Sequence, residues 1–91
     1  MKYEVDLSPK AESQLRKLEP KIRLQVLEDL KTLPDNPFHK PPRGKKLKGF
    51  ADPTYRVKSG SYRAVYRPVG QWLVVLAVLD RKDLEKELHN L

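Results

Sequence analysis

Hydrophobic and polar residues alternate from Lys2 to Leu7, with Tyr3, Val5 and Leu7 on one side and Lys2, Glu4 and Asp6 on the other. That period of two marks a half-buried strand. Ser8-Pro9 then stops the strand and predicts a helix start, because a serine oxygen at the N-cap accepts an orphan N–H and a proline at the first helical position has none to lose. The helix that follows carries Ala11, Leu15 and Leu18 on one face. Pro20 breaks it and opens a second helix, in which Ile22, Val26, Leu27, Leu30 and Leu33 form an apolar stripe at helical spacing. A two-helix hairpin packed on a core is expected. From Pro34 to Pro53 the chain holds five of its eight prolines, including the Pro41-Pro42 pair, and reads as a long connecting loop. Lys45 to Gly49 within it is compatible with a short extended piece.

Alternation returns at Tyr55-Arg56-Val57-Lys58, turns at Ser59-Gly60-Ser61, and continues through Tyr62 to Arg67, which predicts a hairpin. Pro68 to Gln71 turns the chain once more into the eight-residue apolar run Trp72 to Leu79, a strand covered on both faces or central. Asp80 is placed to cap a last helix bearing Leu84, Leu88 and Leu91. Strands and helices grouped in this way, rather than in strict βαβ alternation, argue α+β. The expected fold is a small, mostly antiparallel four-stranded sheet with an N-terminal two-helix hairpin and a short C-terminal helix, in the order β-α-α-β-β-β-α. At 91 residues the chain makes a single domain, 1–91.

The chain has no cysteine, which removes disulfides, thiol catalysis and Cys-type metal sites. Met1 to Pro20 lacks the apolar core of a secretory signal, and the eight-residue apolar run falls far short of the roughly 20 residues a membrane helix needs. A cytoplasmic protein is expected. His39, in the proline-rich loop, and His89, near the C-terminus, read as surface histidines. No metal or cofactor site is expected.

Charge changes the picture most. Between Phe38 and Arg67 stand nine cations (Lys40, Arg43, Lys45, Lys46, Lys48, Arg56, Lys58, Arg63 and Arg67) against the single acid Asp52, a local +8 in a chain whose total is +7. Such a segment is the electrostatic footprint of a polyanion partner, or else a face kept charged for solubility. Strand alternation sharpens the first reading. Arg56 and Lys58 share one face of the first hairpin strand; Arg63, Val65 and Arg67 share one face of the second. If the register brings the two faces together, like charges sit within cross-strand reach at a cost in stability, which a bound phosphate backbone would justify.

No phosphate-cradling glycine loop, nucleophile elbow or zinc spacing is present, so any catalysis works with cations and a carboxylate. RNA cleavage permits that, because the 2′-hydroxyl attacks its own phosphate and the protein need only position the chain, stabilise the phosphorane and move protons. A lysine crowded by arginines has a reason to give up its proton, and Lys58 is best placed to serve as a base.

Leu47-Lys48-Gly49, the run Tyr55-Arg56-Val57-Lys58-Ser59-Gly60-Ser61-Tyr62-Arg63-Ala64-Val65-Tyr66, and Asp80-Arg81-Lys82-Asp83 after the apolar strand together resemble the RelE/ParE superfamily of toxin-antitoxin toxins. The resemblance implies a compact α+β toxin of a type II system, held inactive by a RelB-like antitoxin in a hetero-oligomer. For the RelE branch it implies a metal-independent endoribonuclease that cuts messenger RNA in the ribosomal A site and inhibits translation. It assigns catalytic roles to Arg56, Lys58, Arg63 and Arg81, and RNA binding falls to Lys45, Lys46, Lys48 and Arg67. Where the family commonly shows His before the last arginine and Tyr soon after it, this chain has Asp80 and Leu84-Glu85. Glu85, one helical turn past Arg81, either replaces the tyrosine as a proton acceptor or pairs with that arginine. Two alternatives stay open: a ParE-like, non-enzymatic toxin that inhibits DNA gyrase, and a catalytically decayed nucleic-acid-binding relative. Apolar surface around Asp83 to Leu91 and the sheet edge is expected to lie exposed for an antitoxin helix.

Overall fold

Ser8 begins the first helix in the manner its position suggested. In a computed structural model, which describes residues 3–38 and 43–91, strand β1 (Glu4–Leu7) leads into α1 (Pro9–Arg16), and Ser8 Oγ accepts the Ala11 N–H at 3.1 Å. α2 (Pro20–Lys31) opens on Pro20 as expected. Arg23 ties the two helices, its Nη2 donating to the Leu18 and Arg16 carbonyls left over at the end of α1, at 3.0 and 3.3 Å.

The remaining elements are β2 (Gly44–Leu47), β3 (Thr54–Ser59), β4 (Tyr62–Val69), β5 (Trp72–Asp80), a 3-10 turn (Arg81–Asp83) and α3 (Leu84–Leu88). The sheet has five strands in the order β1-β5-β4-β3-β2, with β1 parallel to β5 and the other pairs antiparallel. This corrects the four-stranded expectation. The additional strand, β2, comes from the proline-rich stretch; its Gly-Lys-Lys-Leu sequence has no period-2 pattern because it lies at the sheet edge, with Lys45 and Lys46 exposed. Edge lysines of this kind discourage further strand pairing.

The sheet separates two apolar clusters. On one face Ala11 and Leu15 of α1, Val26 and Leu30 of α2, and Leu33 beyond it pack on Val57, Ala64, Tyr66, Leu73, Val75 and Val78. On the other, Val65, Ala77 and Leu79 are covered by Leu84, Leu88 and Leu91, with Leu47 and Leu76 alongside. A β-bulge lets β5 serve both clusters. Between Val65 and Tyr66 the partner on β5 jumps from Ala77 to Val75, so Leu76 is an extra residue and the alternation shifts face there. The backbone groups this leaves are satisfied from α1 and its cap: Ser8 Oγ donates to the Leu76 carbonyl at 3.1 Å, and the Val78 N–H donates to Gln14 Oε1 at 2.7 Å.

The C-terminal segment differs from expectation in two respects. Asp80 caps the 3-10 turn, accepting from the Lys82 N–H at 3.1 Å, and only then does α3 begin. The leucines of this segment are partly buried against the second cluster, so less of their apolar surface is open than anticipated for a partner. The large hydrophobic residues most open to solvent among those described are Leu24, Phe38, Val69 and Trp72. No helix among the described residues is long and apolar enough to cross a membrane.

Candidate nucleic-acid interface

The hairpin β3–β4 closes through Gly60-Ser61, with Gly60 at a φ of +58°. Positive φ at the first of two loop residues suits the right-handed twist of a hairpin and favours glycine there. That turn sets a register in which Ser59 opposes Tyr62 and Lys58 opposes Arg63, with Arg56 opposite Val65. Tyr55, Val57, Tyr62, Ala64 and Tyr66 face the α1/α2 core, so Arg56, Lys58, Arg63 and Arg67 project from the other face. Lys45 of β2 stands directly opposite Arg56 and joins them. Lys46 does not: it opposes Tyr55, which places it toward the α1/α2 side.

The cations are held differently. Arg63 reaches back over the turn, Nη1 donating to the Gly60 and Tyr62 carbonyls at 3.1 and 2.9 Å. Arg56 Nη1 lies 3.5 Å from the Arg43 carbonyl, which also accepts the Lys58 N–H at 2.8 Å. Burial, and secondarily the neighbouring Arg63 charge, push the proton affinity of the Arg56 guanidinium down. Arg67 is engaged elsewhere, donating to Thr54 Oγ1 from Nε and Nη2 at 3.3 Å, with Asp52 at 4.0 Å. Arg81 is exposed at the start of the 3-10 turn, and its N–H bonds the Ser61 carbonyl at 2.8 Å, which brings it beside the hairpin end where Lys58 and Arg63 meet.

Glu85 does not pair with Arg81 among the described residues. The 3-10 geometry of residues 81–83 explains this, since its tighter winding moves the two positions off the i,i+4 alignment of an α-helix. Glu85 instead lines a cleft of about 550 Å³ between the β2–β3 loop and α3, shared with Lys48, Phe50, Leu88 and His89. His39 and Lys40 lie outside the described residues. Among the described residues no group of three or more His, Asp or Glu side chains converges to hold a metal ion.

Sequence reasoning missed Asp29. Its carboxylate accepts from Ser59 Oγ at 2.6 Å, Gln25 Nε2 at 3.2 Å and Arg43 Nη2 at 3.3 Å, tying α2 to the end of β3 and to the residue whose carbonyl holds Lys58 and Arg56. A signal existed: Asp29 follows Val26 by three residues and precedes Leu33 by four, so an acid sits on the rim of an apolar stripe. The arrangement as a whole presents guanidinium and ammonium groups at one sheet face, suited to binding a phosphate backbone and to stabilising charge that develops on a phosphorus centre.

Comparison with known proteins places this five-stranded sheet with its cationic hairpin face in a class of small toxins. The family model described as the ParE toxin of type II toxin-antitoxin systems matches residues 5–85, and the chain belongs to that family, within the RelE/ParE superfamily. Among solved structures, the toxin-antitoxin complex RelBE2 from Mycobacterium tuberculosis contains a chain 30% identical to this one, with a TM-score of 0.74 over 89% of this chain and 100% of that one. The RelE-RelB complex of the archaeon Pyrococcus horikoshii gives 26% identity and a TM-score of 0.71, covering 89% and 97%. A mutant of E. coli toxin RelE in the free state gives 25% and 0.73, covering 99% and 93%. No functionally curated protein matches the chain in sequence. This chain is therefore a RelE-like toxin of a type II toxin-antitoxin system.

Proposed function

We propose that the toxin acts as a metal-independent endoribonuclease that cuts messenger RNA in the ribosomal A site and so stops translation in the cytoplasm. The observation that carries this reading is the cross-strand pairing of Lys58 with Arg63 and of Lys45 with Arg56 on one sheet face, with Arg81 at its hairpin end. In the reaction the 2′-oxygen forms a bond to the adjacent phosphorus while the bond to the 5′-oxygen breaks, leaving a 2′,3′-cyclic phosphate and a 5′-hydroxyl. The 2′-hydroxyl proton passes to a base on the protein, for which Lys58 is the candidate, and the departing 5′-oxygen takes up a proton. Arg56, Arg63 and Arg81 bind the phosphate and stabilise the extra negative charge of the phosphorane, each such donor being worth about 10²–10³ in rate. Lys45, Lys48 and Arg67 hold the flanking backbone.

The partner that restrains it is a RelB-like antitoxin; the toxin-antitoxin complexes from Mycobacterium tuberculosis and Pyrococcus horikoshii support this. A translating extract tests the reading. Transcripts should be cut within codons, and Arg63→Ala or Arg81→Ala should abolish the cuts while gyrase supercoiling stays untouched. The ParE family match supports a second reading, in which the protein binds and inhibits DNA gyrase without catalysis. Intact transcripts together with blocked supercoiling would select it.

A further inference from the structure

The cleft between the β2–β3 loop and α3 has chemistry that a phosphate-binding face does not call for. Its walls bring together an ammonium (Lys48), an aromatic ring (Phe50), a carboxylate (Glu85) and an imidazole (His89), over an apolar base that includes Leu88. Gly49, at a φ of +88°, makes the left-handed turn that carries the chain from Lys48 to Phe50 along the cleft wall. Leu88 is packed into the second apolar cluster and so fixes the α3 wall against the sheet. The cleft's volume of about 550 Å³ falls within the range of small-ligand sites.

A carboxylate on the wall repels phosphate, so this is not one more backbone contact. A flat aromatic group with hydrogen-bonding edges uses both the ring and the carboxylate: Phe50 offers a stacking surface, and Glu85 an acceptor for an exocyclic amino group. Position agrees. Leu47 shares the sheet face of Lys45 by strand alternation, and Lys48, on the cleft wall, comes just past the strand end, so the cleft lies within about 10 Å of the cationic row at Lys45. A backbone lying on Lys45 and Arg56 thus delivers a neighbouring base to the cleft mouth.

Building on the RNA-binding reading above, we infer that this cleft seats one unpaired base of the bound strand, stacked on Phe50, with its amino edge toward Glu85. Cytosine fits this better than uracil, which has no exocyclic amino group. The test measures fluorescence anisotropy of short 2′-O-methyl single strands, which cannot be cut through their own 2′-hydroxyl. An all-cytidine strand, an all-uridine strand and an abasic strand of equal length are compared with the intact protein.

The cytidine strand should bind tightest and the abasic strand weakest. Phe50→Ala should weaken the cytidine strand by about five- to a hundredfold, the range of a lost base–aromatic stack, and leave the abasic strand unchanged. Phe50→Tyr, which keeps the ring, should retain the preference, and Glu85→Gln should narrow the gap between cytidine and uridine. Abasic and cytidine strands binding equally well to the unmodified protein would overturn the base site while leaving the RNA reading intact. So would Phe50→Ala weakening all three strands alike. Failure of all three strands to bind would overturn the base site, while cutting of transcripts in the translating extract decides the RNA reading separately.

Discussion

Lys58→Gln should make this protein more stable and worse at binding RNA. The register sets Lys58 directly opposite Arg63 on β4, and Arg56 is already disfavoured as a cation by burial and, secondarily, by the same arginine. Like charges facing each other across an antiparallel pair cost about 0.2–1 kcal/mol. Arg63 is the wrong member to remove, because its guanidinium also bonds the Gly60 and Tyr62 carbonyls and its loss would mix two effects. Lys58 forms no ion pair among the described residues, so glutamine, similar in length and neutral, removes little besides the repulsion.

A gain of about 0.5 kcal/mol raises the melting temperature of a domain this size by about 2–4 °C. Thermal unfolding followed by circular dichroism at low salt should show that rise. It should shrink toward zero at about 1 M salt, where the screening length falls to about 3 Å. In parallel, the log–log salt slope of single-stranded RNA binding should fall by about 0.7, one phosphate contact. A melting temperature unchanged or lowered at low salt would refute the claim that the cationic face is held together at a cost. A gain independent of salt would refute its electrostatic origin.

Three further outcomes follow from the packing. Tyr66 is buried, and burial, with Tyr55 adding to it, pushes its phenol up to about 12. A raised folded-state value means its stabilising contribution is complete below about pH 10 and is lost as pH rises from there through 12, a change of about 2 to 3 kcal/mol; the urea midpoint of Tyr66→Phe should be correspondingly flatter over that window. Asp29→Ala leaves the Ser59 hydroxyl, 4% exposed, without its acceptor and should cost about 1–3 kcal/mol by urea titration. Amide exchange at Lys58 should also speed up, since its N–H bonds the Arg43 carbonyl that Asp29 helps to place. Ser8→Ala removes both the α1 cap and the donor to the Leu76 carbonyl and should lower stability by about 1–2 kcal/mol in the same titration.

Signals carried by a few adjacent residues translate directly into structure here. Ser8-Pro9 and Pro20 start helices, the Gly60-Ser61 turn makes the hairpin, and the alternation of Arg56, Lys58, Arg63 and Arg67 sorts them onto one side, because the side-chain period of a strand is set by its own backbone. Lys46 shows where that reasoning stops. Its neighbourhood in sequence is as basic as that of Lys45, yet the short extended piece offered there becomes a paired strand, β2, that turns the two in opposite directions. The pairing of Glu85 with Arg81, plausible on an α-helix, fails because the chain winds tightly at Arg81–Asp83 first.

By itself, then, the amino-acid sequence determined where α1 and α2 start, the hairpin, the sign of its outer face and the likeness to a toxin family, all properties of local period and turn chemistry. Only the tertiary structure decided that β2 joins the edge, that Leu76 bulges so that β5 feeds two cores, that Asp29 braces the basic strand, and that Lys48, Phe50, Glu85 and His89 meet in one cleft. Those juxtapositions join residues from α2, β2, β3 and α3 that lie tens of positions apart along the chain. Their meeting depends on how the sheet and the helices bury apolar surface together, which no single segment encodes.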